Sequence, residues 1–102
     1  MAFKKQYLKS KAVCKVTFKL SKKQAHAAGS VRLVGDFNEW NLSTTPMKKL
    51  KNGDFTTTID LAKDAQYQFR YLLNDKDWEN DWEADAYIPS SVSFDDNSVV
   101  RV

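Results

Sequence analysis

Apolar side chains recur at every second residue in several short runs, and that period constrains this chain more than any other feature. Cys14, Val16, Phe18 and Leu20 alternate with Lys15, Thr17 and Lys19, as expected of a half-buried strand. Residues 66–73 repeat the pattern, with Tyr67, Phe69 and Tyr71 on one face and Gln68, Arg70 and Leu72 on the other. Val31–Gly35 and Ser98–Val102 are short and β-branched. Met47–Leu50 is expected to pair with Asp54–Leu61 across Lys51-Asn52-Gly53, because Asn-Gly is a strong hairpin signal. Ser21–Ser30 reads as a polar connector with room for one helical turn ended by Gly29, and Asp36–Pro46 as a loop. Six or seven short strands at this turn spacing predict an all-β, antiparallel β-sandwich. Residues 13–102 form its body, and the basic segment 1–12 belongs to it or flanks it.

At 102 residues the chain is the size of one domain, and too short for a barrel enzyme. Its single Cys and single His, Cys14 and His26, exclude an internal disulfide and a Cys/His zinc site. A lone thiol suits a reducing compartment, and no apolar run reaches the ~20 residues of a membrane span, so a cytoplasmic location is expected. Nine basic residues and no acid fall in residues 1–34, against seven basic and thirteen acidic in residues 35–102. That polarity fits lysines that blunt a sheet edge, or else an electrostatic partner.

Three groups of residues carry candidate chemistry. In Gly35–Asn41, Asp36, Asn38 and Asn41 can make local side-chain turns, and Phe37 suits a core plug. Trp40 stands there in polar company, either as a recognition anchor with one ring face exposed or as a lid on the core. In Asp75–Asp85 acids fall at every second residue, interleaved with Trp78 and Trp82. A calcium loop fails on Asn80 at position six and Ala86 at position twelve, and a sandwich this small lacks the cleft a glycosidase acid pair needs. A solvated acidic loop remains, with one indole sealing the core and the other facing a ligand. Lastly, Arg70 lies on the outward face of its strand and Asn97 just before the final strand; a carboxylate partner and a turn cap are their plain structural roles.

These pieces occur in a familiar order: Val31-Arg32-Leu33-Val34-Gly35-Asp36-Phe37-Asn38-Glu39-Trp40, Pro46-Met47, Gly53-x-Phe55, Tyr67-x-Phe69-Arg70-Tyr71, Trp78 with Asn80-Asp81, and Asp96-Asn97-Ser98-Val99-Val100. The series resembles the isoamylase N-terminal, or early set, domain of the family-48 starch- and glycogen-binding modules. The glycogen-binding domain of the AMP-activated protein kinase β subunit is a relative. The resemblance implies an immunoglobulin-like fold, no catalytic residues, no cofactor and no metal. It also implies an α-glucan ligand held by Trp40, Arg70, Trp78 and Asn97. Trp40 and Trp78 correspond to sugar-stacking platforms, and Arg70 and Asn97 to hydrogen-bonding partners. Because Asn74-Asp75-Lys76-Asp77 replaces the family's tight Asp-Gly turn, Trp82 rivals Trp78 for the second platform.

The resemblance thus implies a glucan-binding module, which in larger members sits beside a catalytic barrel. With the sequence ending at Val102, it is expected to stand alone and to serve a glycogen-metabolising enzyme in trans. The alternative is a protein-interaction module without sugar binding, since fold alone does not settle function. Nucleic-acid binding is disfavoured because the tryptophans lie among acids rather than among the lysines.

Overall fold

The computed structural model describes residues 3–90 and 96–102. Among these, nine strands form: β1 (Phe3–Tyr7), β2 (Val13–Leu20), β3 (Val31–Gly35), β4 (Lys48–Lys49), β5 (Phe55–Ala62), β6 (Gln66–Leu73), β7 (Asp77–Glu79), β8 (Ala86–Pro89) and β9 (Asp96–Arg101). They build two antiparallel sheets, ordered β1-β2-β5-β4 and β3-β6-β9-β8, with β7 added beside β6. The chain is an antiparallel β-sandwich with no α-helix among the described residues.

The period-2 faces meet in the middle. Phe18 from the first sheet packs edge-on against Phe69 from the second, with ring centroids 5.2 Å apart. Phe3 joins them at 5.4 Å from Phe18, so the basic N-terminal segment contributes a strand and a core aromatic. Phe37 closes the cluster from the loop after β3, with its ring 5.8 Å from Phe18. Edge-to-face packing of this kind adds about 0.5–1.5 kcal/mol per pair beyond the area buried.

The sequence expectation of six or seven strands undercounts the nine described. β1 reads Phe-Lys-Lys-Gln-Tyr and buries only Phe3, β7 is three residues inside the acidic run, and β8 ends at Pro89. None has the length or alternation that marks a strand from sequence. The connector between β2 and β3 also differs. A helical turn forms, with Ala25 N–H donating to Ser21 C=O at 2.9 Å, but it is ended by His26 and Ala27 in the left-handed region rather than by Gly29. The Asn52-Gly53 turn forms as expected, with Gly53 at φ +93°. Strand β5 begins at Phe55, because the Asp54 carboxylate turns aside to accept from Lys22 N–H at 2.8 Å.

Two features of the second sheet decide what its outer face displays. Gly35 packs so closely on β6 that a Cβ there would lie 2.5 Å from the Gln68 carbonyl oxygen, so only glycine lets β3 end at this point. The neighbour of β6 on its other side is spliced from two pieces, β9 beside residues 66–69 and β7 beside residues 71–73. Asn80 joins them: its Nδ2 donates to Asp96 C=O at 2.7 Å and its Oδ1 accepts from Ser98 N–H at 3.0 Å. One amide side chain thus replaces the backbone pairing that is lost where the two strands abut.

Candidate functional site

The register of β6 sorts the candidates by face. Phe69 and Tyr71 point to the core, so Gln68, Arg70 and Leu72 point out. Across the sheet Val34 lies opposite Arg70, Val99 opposite Gln68, and Trp78 opposite Leu72. Asn97, two residues from Val99, shares the outward face. Val34, Leu72 and Val99 are all buried, yet they lie outside the main core cluster. They form an apolar floor on the outside of the sandwich, with polar and aromatic side chains above it.

Trp40 reaches this face from the loop after β3. Asp36–Asn38 form one turn of 3-10 helix, and Asn38 locks it by accepting from Gly35 N–H at 3.0 Å and donating to Leu33 C=O at 2.9 Å. Glu39 and Trp40 then both adopt left-handed conformations, with φ of 57° each. That geometry is costly for a bulky residue, about 1–2 kcal/mol each. It is held by Trp40 N–H donating to Gly35 C=O at 2.9 Å and by the indole Nε1–H donating to Asp36 Oδ1 at 2.8 Å. Asp36 Oδ2 in turn accepts from the backbone N–H of Gln68 at 2.8 Å. The Gln68 side chain continues the run, its Oε1 accepting from Asn97 Nδ2 at 3.0 Å.

A hydrogen-bonded line therefore crosses the sheet edge from Trp40 through Asp36 and Gln68 to Asn97, beside Arg70. Trp40 is half-buried, so it is neither a free surface ring nor a sealed lid. Arg70 and Asn97 are 8% and 7% exposed, so both are set into the face rather than waving above it. Asn97 does not cap a turn; it bonds to Gln68 across two strands. Sequence alone assigns Asp36 only a local turn and Gln68 no role beyond its strand face. An Asp after a strand ordinarily signals a local turn, and nothing in the sequence marks that its carboxylate spans to residue 68.

The acidic run resolves into several environments. Asn74 and Asp75 make the turn after β6, at φ 52° and 62°, with Lys76 N–H donating to Leu73 C=O at 3.1 Å. Both central residues have φ > 0, as in the primed hairpin turns, and Asn and Asp tolerate it without glycine. Arg32 forms an ion pair with Asp75 over this turn. The turn sets the register that puts Trp78 on the Arg70 face, 45% exposed. Trp82 is equally open at 49% but lies in the turn between β7 and β8, and among the described residues no strand pairing or hydrogen bond joins it to the Trp40–Asn97 line.

The solvated-loop expectation fails at Asp81, which is 1% exposed. Its carboxylate accepts from the Tyr71 hydroxyl at 2.7 Å and from Glu83 N–H at 2.8 Å. Burial pushes the Asp81 carboxyl above its ordinary pKa, against the lowering effect of those hydrogen bonds. Burial also pushes Tyr71 well above the usual phenol value, and the nearby Asp81 charge adds to the rise. The pair faces the core side of the sheet and braces the β7–β9 splice rather than the outer face.

No group of three or more His, Cys, Asp and Glu with metal-binding geometry occurs among the described residues. No helix among them is long and apolar enough to cross a membrane. What the outer face offers is apolar floor, indole surface and fixed amide and guanidinium groups, the composition of a site for a neutral, hydroxyl-rimmed ligand. Fold and face together define a small ligand-binding sandwich. The family model for carbohydrate-binding module 48, the isoamylase N-terminal domain, matches residues 11–88, and the chain belongs to that family. It is accordingly a carbohydrate-binding module of a non-catalytic family. The match includes Trp40, Arg70, Trp78 and Trp82 and stops short of Asn97. A search of curated proteins finds no match.

Proposed function

We propose that the outer face of the second sheet binds α-glucans of the glycogen or starch type, with Trp40 and Trp78 as stacking platforms and Arg70 and Asn97 as hydrogen-bonding partners. The observation that carries this reading is the line from the Trp40 indole through Asp36 and Gln68 to Asn97, which pre-sets an aromatic ring beside polar groups. Glucose has apolar C–H faces and a rim of hydroxyls, so a fixed indole flanked by an amide and a guanidinium is complementary to it. A Trp presents ~150–250 Å². Half-coverage at ~25 cal/mol per Å² gives roughly 2–3 kcal/mol per platform. The entropy of ordering a flexible chain offsets much of this, so a dissociation constant on the order of 10 µM to 1 mM follows. On this reading the module works in the cytoplasm and delivers a glycogen-metabolising enzyme in trans to its substrate.

The test is calorimetric titration with β-cyclodextrin, paired with migration through native gels containing glycogen. Retardation in glycogen and a loss of binding of about 30-fold or more in Trp40→Ala are expected. Unretarded migration with no heat of binding in the unmodified protein would overturn the proposal.

A further inference from the structure

A concave feature lies away from the aromatic face, where the 21–30 connector meets the hairpin between β4 and β5. Lys22, Lys49 and Lys51, together with Ala27, Ala28 and Gly53, line a cavity of ≈ 210 Å³. The space suits a small anion better than an oligosaccharide.

The three lysines of this cavity have no carboxylate in ion-pair contact among the described residues. Lys5 pairs with Asp85, Lys19 faces Asp54 and Arg32 pairs with Asp75, whereas Lys22, Lys49 and Lys51 form no ion pair among the described residues. The carboxylate beside them in sequence, Asp54, is occupied elsewhere. Its Oδ1 accepts from Lys22 N–H, and its Oδ2 accepts from Asn52 Nδ2 at 3.1 Å and faces Lys19 Nζ at 3.8 Å.

Two of the lysines are also directed. Gly53 sits at φ +93°, and a Cβ there would come within 2.7 Å of Lys22 Cδ, so the Lys22 stem lies along the bare glycine. Lys49 Nζ stands 5.9 Å from the centroid of the Phe55 ring, a cation–π distance that restrains the side chain. Restrained side chains lose less entropy when a ligand binds them. Three lysine side chains lining one concavity raise its positive potential, and an ammonium group offers compact donors to phosphoryl oxygens.

We propose that this cavity is a binding site for the phosphoryl group of a small anionic ligand, built from Lys22, Lys49 and Lys51 and independent of the glucan face. The group can arrive as free phosphate or as a phosphate ester of a sugar, and two arms of one experiment separate these sources. The protein is titrated with inorganic phosphate and, in parallel, with glucose 6-phosphate, following amide and indole resonances by ¹H–¹⁵N NMR at ionic strength held constant with chloride. Saturable shifts confined to residues 22, 27–28 and 49–53 are expected, with the Trp40 and Trp78 indole signals unmoved. At least fivefold tighter binding of the ester assigns the site to the ester; equal affinity assigns it to free phosphate.

Lys22 and Lys51 are exposed, so Lys22→Gln with Lys51→Gln keeps the fold, which unchanged indole signals verify. That double variant weakens binding tenfold or more, and Lys51→Gln alone about threefold. Shifts that rise linearly without saturation, that spread over Lys4 and Lys15 as strongly, or that persist in the double variant overturn the proposal. A failure of β-cyclodextrin binding registers at the indoles and leaves this readout intact, so the two readings fail separately.

Discussion

Replacing Asp36 with alanine tests whether the Trp40 platform is held from a distance. The carboxylate accepts from the Trp40 indole and from the backbone N–H of Gln68, so the substitution removes both bonds at once. Both are solvent-accessible, and each is worth about 1 kcal/mol net, below the ~1.5–3 kcal/mol of a buried charged partner. Stability should fall by about 2 kcal/mol, or roughly 10 °C in Tm for a domain of this size. The left-handed backbone at Glu39 and Trp40 then loses its restraint, and the indole becomes free to turn. Reordering one such side chain on binding costs about 0.5–1.5 kcal/mol, which weakens glucan affinity roughly 2- to 12-fold. Asp36→Asn keeps one acceptor and should show about half of each effect. Urea denaturation reads the stability, calorimetry with β-cyclodextrin the affinity, and the Trp40 Nε1–H resonance the state of the ring. Native affinity and an unmoved indole resonance in Asp36→Ala would refute the reasoning, because the ring would then be held by something other than this carboxylate.

Trp78→Ala should weaken β-cyclodextrin binding by tenfold or more, while Trp82→Ala, with its indole outside the β6 register, should change it less than twofold; calorimetry on the two variants decides which indole is the second platform. Asp81 gives a pH prediction whose sign is fixed by its raised pKa. The folded chain holds the proton at pH values where the unfolded chain has released it, so this contribution is fully present below the ordinary carboxylate range. It is lost as pH rises through that range to the folded value. The stability difference between the native protein and Asp81→Asn, measured by urea midpoints, should therefore shrink or reverse across that window as pH increases, and a difference independent of pH would contradict it. Tyr71 follows the same rule at the alkaline end: stability falls as pH rises past about 10, and Tyr71→Phe removes that alkaline loss while costing about 1–3 kcal/mol at neutral pH, because Asp81 then loses a donor.

The parts of the molecule that could be read from sequence are those governed by neighbours along the chain. The alternation in 66–73 put Arg70 outward and Tyr71 inward, and both lie so, because a strand with one core face has no freedom to choose. The Asn52-Gly53 turn was equally local. Asp36 was not legible in the same way. Its residue type promised a turn, but its effect depends on β6 passing close enough to donate the Gln68 N–H, and that approach depends on a glycine at position 35.

The acidic run makes the same point more sharply. From sequence, Asp75, Asp77, Glu79, Asp81, Glu83 and Asp85 are one repeating pattern, yet they occupy several unlike environments. Asp75 sits in a left-handed turn against Arg32, Glu79 reaches His26 Nε2 at 2.7 Å, and Asp85 takes Lys5 Nζ at 2.6 Å. Asp81 is driven into the interior with a raised pKa. An isolated carboxylate would not enter an apolar interior. Asp81 does so because β6 supplies the Tyr71 hydroxyl and the turn after β7 supplies the Glu83 N–H, while Asn80, next to β7, ties this segment to the Asp96 and Ser98 backbone of β9. The position of Trp78 on the Arg70 face follows from the same join, since β7 must end where β9 begins. Loosening Asn80 should therefore disturb the placement of Trp78, the proposed second platform, without touching its ring, a coupling between scaffold and proposed site that no reading of the run in isolation could supply.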